Sequence, residues 1–207
     1  VLGNFKAAAQ LHRGRNLSLK GKAVILNTCV MSKIWYSGKF TYLPTDLLDE
    51  FTAVVNEFIW QGRQLGRVRR EVLELHSDMG GLSLVNIELK LKAFRVMHVI
   101  DFLYGPEKPW SKIASYWLSM PLRTYMTGRF ENNAPHSESI PKFYRKCIRD
   151  FKSFIEDNPG VSLQTLTSRI VYWKLIESKN VMPDVIGRNP GIDFKRIFKN
   201  LNDPILS

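Results

Sequence analysis

Hydrophobic residues recur along most of this chain at helical spacing. Leu47, Leu48, Phe51, Val54, Val55, Phe58 and Ile59 form the stripe of an amphipathic helix. Pro44 opens that helix in its first turn, where a missing N–H costs nothing. The opposite face carries Asp46, Asp49, Glu50 and Glu57, and an acidic face should not touch a polyanion. Before it, Ser18 is the expected N-cap of a helix running to about Ser37, with Ala23, Val24, Val30, Met31, Ile34 and Trp35 on its apolar face. Lys22 and Lys33 are three helical turns apart there, so they share one face about 16 Å from end to end.

The pattern changes after Trp60. Gln61 to Arg70 holds Arg63, Arg67, Arg69 and Arg70, two glycines and no acid, and reads as a basic loop. Glu71 to His76 and Leu82 to Val85 read as two short extended pieces around the glycine turn at Gly80-Gly81. Asn86 then caps a helix reaching Tyr104. One arc of it holds Leu89, Ala93, Val96, Met97, Ile100 and Leu103, and a second holds Ile87, Leu91 and Phe94. Lys90, Lys92, Arg95 and Asp101 separate the arcs. A helix apolar on two sides is central, packed on both flanks.

Gly105 to Pro109 breaks the chain, and a short helix runs from Trp110 to about Leu118. The polar stretch from Pro121 to Pro141 reads as a loop or lid and as the best domain boundary. Pro141 to Glu156 is a basic amphipathic helix: Phe143, Cys147, Phe151 and Phe154 face in, while Lys142, Arg145, Lys146, Arg149 and Lys152 face out. Another helix spans about Leu163 to Ser178, and a last short one Asp193 to Asn200. There is no internal repeat.

The 207 residues suffice for one large domain or two small ones. Hydrophobic residues make up 44% and charged residues 24%, which excludes wholesale disorder. The balance of 30 basic against 19 acidic residues, +11, favours a polyanionic partner, nucleic acid ahead of an anionic membrane. The longest charge-free apolar stretch, Ala23 to Ser32, is half of a membrane span, and no signal peptide opens the chain. Cys29 and Cys147 sit in apolar helical patterns and read as reduced core residues of an intracellular protein. The chain opens on Val1 and stops at Leu206-Ser207 just after a helix-like stretch, as a piece of something longer would.

Catalytic motifs are missing: there is no Asp-Asp pair, GxGxxG, phosphate-binding loop, HExxH or GxSxG. His12, His76, His98 and His136 lack a partner at metal-ligand spacing, and His98, on a core-like helix, reads as a buried histidine. A self-contained enzyme is therefore disfavoured. The aromatics Trp35, Trp110, Trp117 and Trp173 read as packing residues, while Tyr36 and Trp60, beside basic segments, are candidates for stacking or ribose contact. Four arginines in the 61–70 loop point to phosphate contact.

Several short runs recur in a known order. Leu17-Ser18-Leu19-Lys20-Gly21-Lys22-Ala23-Val24-Ile25-Leu26-Asn27 is followed by Ser32-Lys33-Ile34-Trp35-Tyr36 and by Phe58-Ile59-Trp60-Gln61-Gly62-Arg63. Gly80-Gly81-Leu82-Ser83-Leu84, Pro109-Trp110 and Tyr116-Trp117-Leu118 come next. From about Arg15 to Leu118 the chain resembles the reverse transcriptases of LINE-type non-LTR retrotransposons, in the region just after the polymerase palm. Leu166-Thr167-Ser168-Arg169 and the stretch from Asp193 to Asn200 resemble the linker that follows.

The residue pattern predicts a mainly α fold with one small β-hairpin and a second helical segment after it, and the resemblance implies that the first helices are a thumb-like bundle. The expected divisions are 1–70 for the bundle and basic loop, 71–120 for the hairpin and central helix, 121–140 for a linker, and 141–207 for a helical connector. The thumb would grip the duplex of RNA template and DNA primer, with Lys20 and Lys22 at the family's basic positions. With Lys33, Arg63, Arg67, Arg69 and Arg70 these form the candidate nucleic-acid-binding set. No catalytic residue is expected in this chain, no metal ligand and no cofactor, the Mg of the parent polymerase being held by upstream aspartates. The partners implied are template, primer and the rest of the parent polyprotein, with no membrane and no small-molecule substrate. The implied setting is the nucleus and cytoplasm of a eukaryotic host. A helical protein-interaction module, or a degenerate retroelement fragment with no nucleic-acid role, is the alternative.

Overall fold

The computed structural model describes residues 1–61, 68–126 and 139–178. They are mainly helical. The expected basic arginines Arg63 and Arg67, most of the 121–140 stretch and the helix at 193–200 lie outside the described residues.

The first helix, α1 (Leu2–Arg13), was not anticipated. It buries Phe5 and Ala9, one turn apart, and Phe5 meets Phe51 edge to face at 4.7 Å. Next, α2 (Leu19–Ile25) starts as expected at Ser18, whose Oγ accepts the Gly21 N–H at 3.2 Å. The helical path then passes through a π turn at Leu26–Val30 into α3 (Ser32–Phe40), so the single helix expected from Ser18 to Ser37 is interrupted and runs three residues longer. The Met31 N–H reaches back to the Leu26 carbonyl, an i→i+5 bond of 2.8 Å. Such a turn holds one residue more than an α turn and rotates the downstream helix by about 100°.

Pro44 is the N-cap of α4 (Thr45–Trp60) rather than a residue of its first turn. Phe51, Val55, Phe58 and Ile59 of its stripe are buried, and Leu47, Leu48 and Val54 pack against them. Lys6 pairs with Glu50 at 3.1 Å and Arg13 with Glu57 at 2.7 Å. The pairing partners rise together in number, so α1 and α4 run parallel. Part of the acidic face of α4 is thus occupied by α1.

The expected hairpin is replaced by a helix and an extended segment. Arg70–Glu74 is a short helix, α5, followed by a 3-10 turn at Ser77–Met79. In a strand Glu74 would point away from Leu73 and Leu75. Here all three are buried in succession, and Glu74 is held by the Arg70 Nε at 2.7 Å and the Asn86 Nδ2 at 2.9 Å. The residues after the turn bond to the end of this helix: the Leu73 carbonyl accepts from the N–H groups of Leu82 and Leu84, and that of Leu75 from Ser83. The two glycines have different tasks. Gly80 takes a φ of +78°, which a side chain would resist, whereas a Cβ on Gly81 would fall 2.0 Å from the Leu75 carbonyl oxygen.

Next, α6 (Ile87–Tyr104) divides the molecule into two cores, as its two arcs require. Ile87 and Leu91 join the first, with α1 to α5. Leu89, Ala93, Val96 and Ile100 join the second, with α7 (Pro109–Met126), α8 (Lys142–Asp157) and α9 (Ser168–Ser178). Helix α7 is longer than expected and continues through Pro121, because Leu118 and Leu122, one turn apart, both enter the second core. In α8, Cys147, Phe151 and Phe154 are buried as expected. The stretch before α9 splits off as a 3-10 turn at Leu163–Thr165.

Candidate nucleic-acid interface

The expected basic residues end up in different settings. Lys20 is exposed on the first turn of α2. Lys33 is exposed on α3, beyond the π turn. Lys22 does not share its solvent face: it is 9% exposed, and its Nζ donates to the Ile59 carbonyl oxygen at 2.9 Å. Helix α4 has no basic residue in its last turn, so the Lys22 ammonium meets the negative end of that helix. Arg69 is exposed beside α5. Arg70 is turned inward onto Glu74, with one terminal nitrogen buried and without a hydrogen-bond partner.

Cys29 is exposed, against expectation, while Cys147 is buried. Burial drives the Cys147 thiol far up in pKa, so it stays protonated. Val24, expected on the apolar face, is exposed as well.

Side-chain hydrogen bonds join the elements that carry Lys20 and Lys33 to the rest of the fold. Asn27, in the π turn, donates from Nδ2 to the Ser83 carbonyl at 2.8 Å and accepts the Val85 N–H at Oδ1 at 3.0 Å. One side chain thus supplies both hydrogen bonds that a neighbouring strand would give. It ties the extended segment after Gly81 to the rod made of α2, the π turn and α3. The Asn86 N–H in turn donates to the Tyr172 hydroxyl at 2.9 Å, which anchors the start of α6 to α9.

Between α3 and the second core lies a cluster of rings around His98. His98 is stacked on Trp110 at 4.3 Å and meets Phe143 at 5.3 Å and Phe40 at 6.4 Å. Its Nε2 is buried without a hydrogen-bond partner. Burial holds the imidazole neutral, lowering its pKa to about 4; Asp101 opposes the shift and Lys39 and Lys108 add to it. Two lysines therefore stand near this cluster, Lys39 exposed on α3 and Lys108 with its Nζ 5.9 Å from the Trp110 ring.

Lys39 was not among the expected residues, although the composition signals it. The first 45 residues contain seven lysines and arginines and no acid. Lys6 and Arg13 are taken by carboxylates of α4, and Lys22 is buried. Arg15, Lys20, Lys33 and Lys39 are exposed and have no carboxylate partner among the described residues. On α8, Lys142 and Arg149 are exposed, Arg145 and Lys152 half-buried, and Lys146 lies 3.6 Å from the buried Asp150. Lys142, Arg145, Arg149 and Lys152 fall at intervals of three and four and form one stripe.

Among the described residues no three His, Cys, Asp or Glu side chains come together, and the buried carboxylates Glu74 and Asp150 are each held by an arginine. No helix among them is long and apolar enough to cross a membrane.

No family model matches the chain, and no solved structure matches it. Over 119 residues, 55% of its length, the chain is 31% identical to the transposon TX1 uncharacterized 149 kDa protein of Xenopus laevis. The chain spans 8% of that protein's length. More than half of the chain is therefore similar in sequence to part of a transposon protein.

Proposed function

We propose that this chain is the nucleic-acid-gripping, non-catalytic portion of a retrotransposon RNA-directed DNA polymerase: the thumb and the connector that follows it. The similarity to a transposon protein supports the retroelement origin. The ordered runs from Leu17 to Leu118 support the position after the palm. The observation that carries the gripping role is the sorting of charge in the first 45 residues. Cations facing α4 are neutralised, and Arg15, Lys20, Lys33 and Lys39 are left on the surface.

A polymerase must hold a duplex of changing sequence, so its grip falls on phosphates rather than base edges. Lysines on packed helices suit that task, because their charge reaches phosphates without reading bases. The sequence contains no Asp-Asp pair to hold Mg, so catalysis would belong to the upstream part of the parent protein, whose Mg, template, primer and polyprotein remainder are the partners of this reading.

The test is fluorescence anisotropy with a labelled RNA–DNA hybrid. Affinity should fall steeply between 50 and 200 mM salt, with a log–log slope of about −0.9 per phosphate contact. Changing Lys20 and Lys33 to Gln should weaken binding and reduce the slope by about one per contact. Absence of hybrid binding at low salt would overturn the grip and favour a protein-interaction module, for which the exposed Ile113 and Tyr116 of α7 would be the first surface to examine.

A further inference from the structure

Helix α3 leaves one face uncovered, and that face mixes rings with cations. Lys33, Tyr36 and Phe40 follow at intervals of three and four residues, which aligns them along the helix. All three are exposed, Tyr36 to 81%. The Tyr36 and Phe40 rings meet edge to face at 5.9 Å, and the Lys39 Nζ lies 5.5 Å from the centre of the Phe40 ring. Tyr42, just past the helix end, is also exposed. The inner side of the same helix is closed, with Ile34 and Gly38 buried and Leu91 of α6 against Gly38. Tyr36 is therefore surplus to the core that the helix builds, while Phe40, whose ring also meets His98 at 6.4 Å, is partly exposed beside it.

The chemistry of this face selects its partner. No acid occurs between Val1 and Thr45, so nothing on this segment repels a polyanion. An apolar protein partner would be served by rings alone, and a duplex by lysines alone, since a duplex keeps its base faces inside its own stack. Rings and lysines together fit a strand whose bases are unpaired: bases stack on Tyr36 and Phe40 while phosphates lie near Lys33 and Lys39. We infer that the outer face of α3 is a stacking platform for single-stranded nucleic acid, built from Tyr36 and Phe40 with Lys33 and Lys39 as phosphate contacts. This rests on the nucleic-acid reading above and adds the unpaired strand as the species held.

The experiment compares a labelled single-stranded DNA 12-mer, an RNA 12-mer of the same sequence and their hybrid, by anisotropy at one salt concentration. Tyr36→Ala should weaken binding of the single strands about 5- to 100-fold and leave the hybrid within about twofold, while Tyr36→Phe keeps the single-strand affinity. Lys33→Gln with Lys39→Gln should flatten the salt dependence on the single strands. Tyr36 is largely in water, so its variants fold, and Phe40→Ala serves as a second probe after a thermal melt.

The outcomes separate the two readings. If the unaltered chain binds the hybrid but neither single strand, the platform is overturned and the duplex grip stands. If it binds no nucleic acid, both fall. A Tyr36→Ala variant that binds single strands as tightly as the unaltered chain, or that loses hybrid and single strands equally, also overturns the platform. A loss on one single strand alone identifies RNA or DNA as the species held.

Discussion

The ammonium of Lys22 caps the C-terminus of α4 by donating to the Ile59 carbonyl at 2.9 Å, across 37 residues of sequence. The lysine that the sequence places among the nucleic-acid contacts is thus tied to the first core. Lys22→Gln shortens the reach and removes the charge, so it should destabilise the fold by about 1.5–3 kcal/mol, the range for hydrogen bonds to charged groups. Lys20→Gln and Lys33→Gln, on exposed positions, should stay within about 0.5 kcal/mol. Urea unfolding midpoints of the three single variants check this. Equal midpoints would show that the Lys22 contact contributes nothing.

Gly21 and Gly81 should respond in opposite ways to alanine. At Gly81 the new Cβ meets the Leu75 carbonyl oxygen at 2.0 Å, with the carbonyl carbon and Cβ of Leu75 at 2.4 and 2.6 Å, none of them the far end of a flexible side chain that could give way. Gly81→Ala should cost more than about 2 kcal/mol, as overpacking with backbone shifts does. At Gly21 the nearest atom to a new Cβ is the Ser18 Oγ at 3.4 Å, an ordinary contact. Gly21→Ala should raise stability by up to about 1 kcal/mol through helix propensity. If a duplex backbone approaches at this glycine, the same substitution will weaken hybrid binding in a more stable protein. A more stable protein with unchanged binding places the duplex elsewhere.

His98 makes stability depend on pH in acid. Its folded pKa is lowered to about 4 by burial, with Asp101 opposing and Lys39 and Lys108 adding to the shift, against 6.5 for the ordinary group. The unfolded chain therefore binds the proton first as pH falls. The stabilisation is complete above 6.5 and is lost as pH drops from 6.5 towards 4, by up to about 3 kcal/mol. His98→Phe keeps a ring against Trp110 and removes the titration. Its stability should fall less steeply than that of the unaltered chain over this window, and at pH 7 it should be near neutral, since the Nε2 it removes has no hydrogen-bond partner. Parallel curves for the two proteins in denaturant titrations from pH 4 to 7 would refute the assignment.

Arg95 and Asp150 join α6 to α8 in the second core, both buried and bonded through the Arg95 Nε. Asp150→Asn leaves the guanidinium without its counter-charge and should cost about 3–5 kcal/mol. Arg95→Met with Asp150→Leu removes both charges and should recover most of the loss. Thermal unfolding of the single and double variants measures the coupling, and simple additivity would show that the pair does not act as a unit.

The periodicity of the chain determined the central place of α6, because which residues share a helix face depends only on local geometry. Ile87 and Leu91 enter one core and Leu89, Ala93, Val96 and Ile100 the other, as their spacing dictates. The same holds for the buried stripes of α4 and α8. Tertiary structure decided the rest. The run from Glu71 to His76 has no pattern that separates strand from helix, and burial of Glu74 between Arg70 and Asn86 settles it as helix. The π turn at Leu26–Val30 leaves no trace in the apolar spacing, yet it sets the face on which Lys33 and Tyr36 emerge. Whether a long cationic side chain points to water or inward depends on what lies opposite it in space. For Lys22 that is the carbonyl end of α4, which becomes its neighbour only when the first core closes.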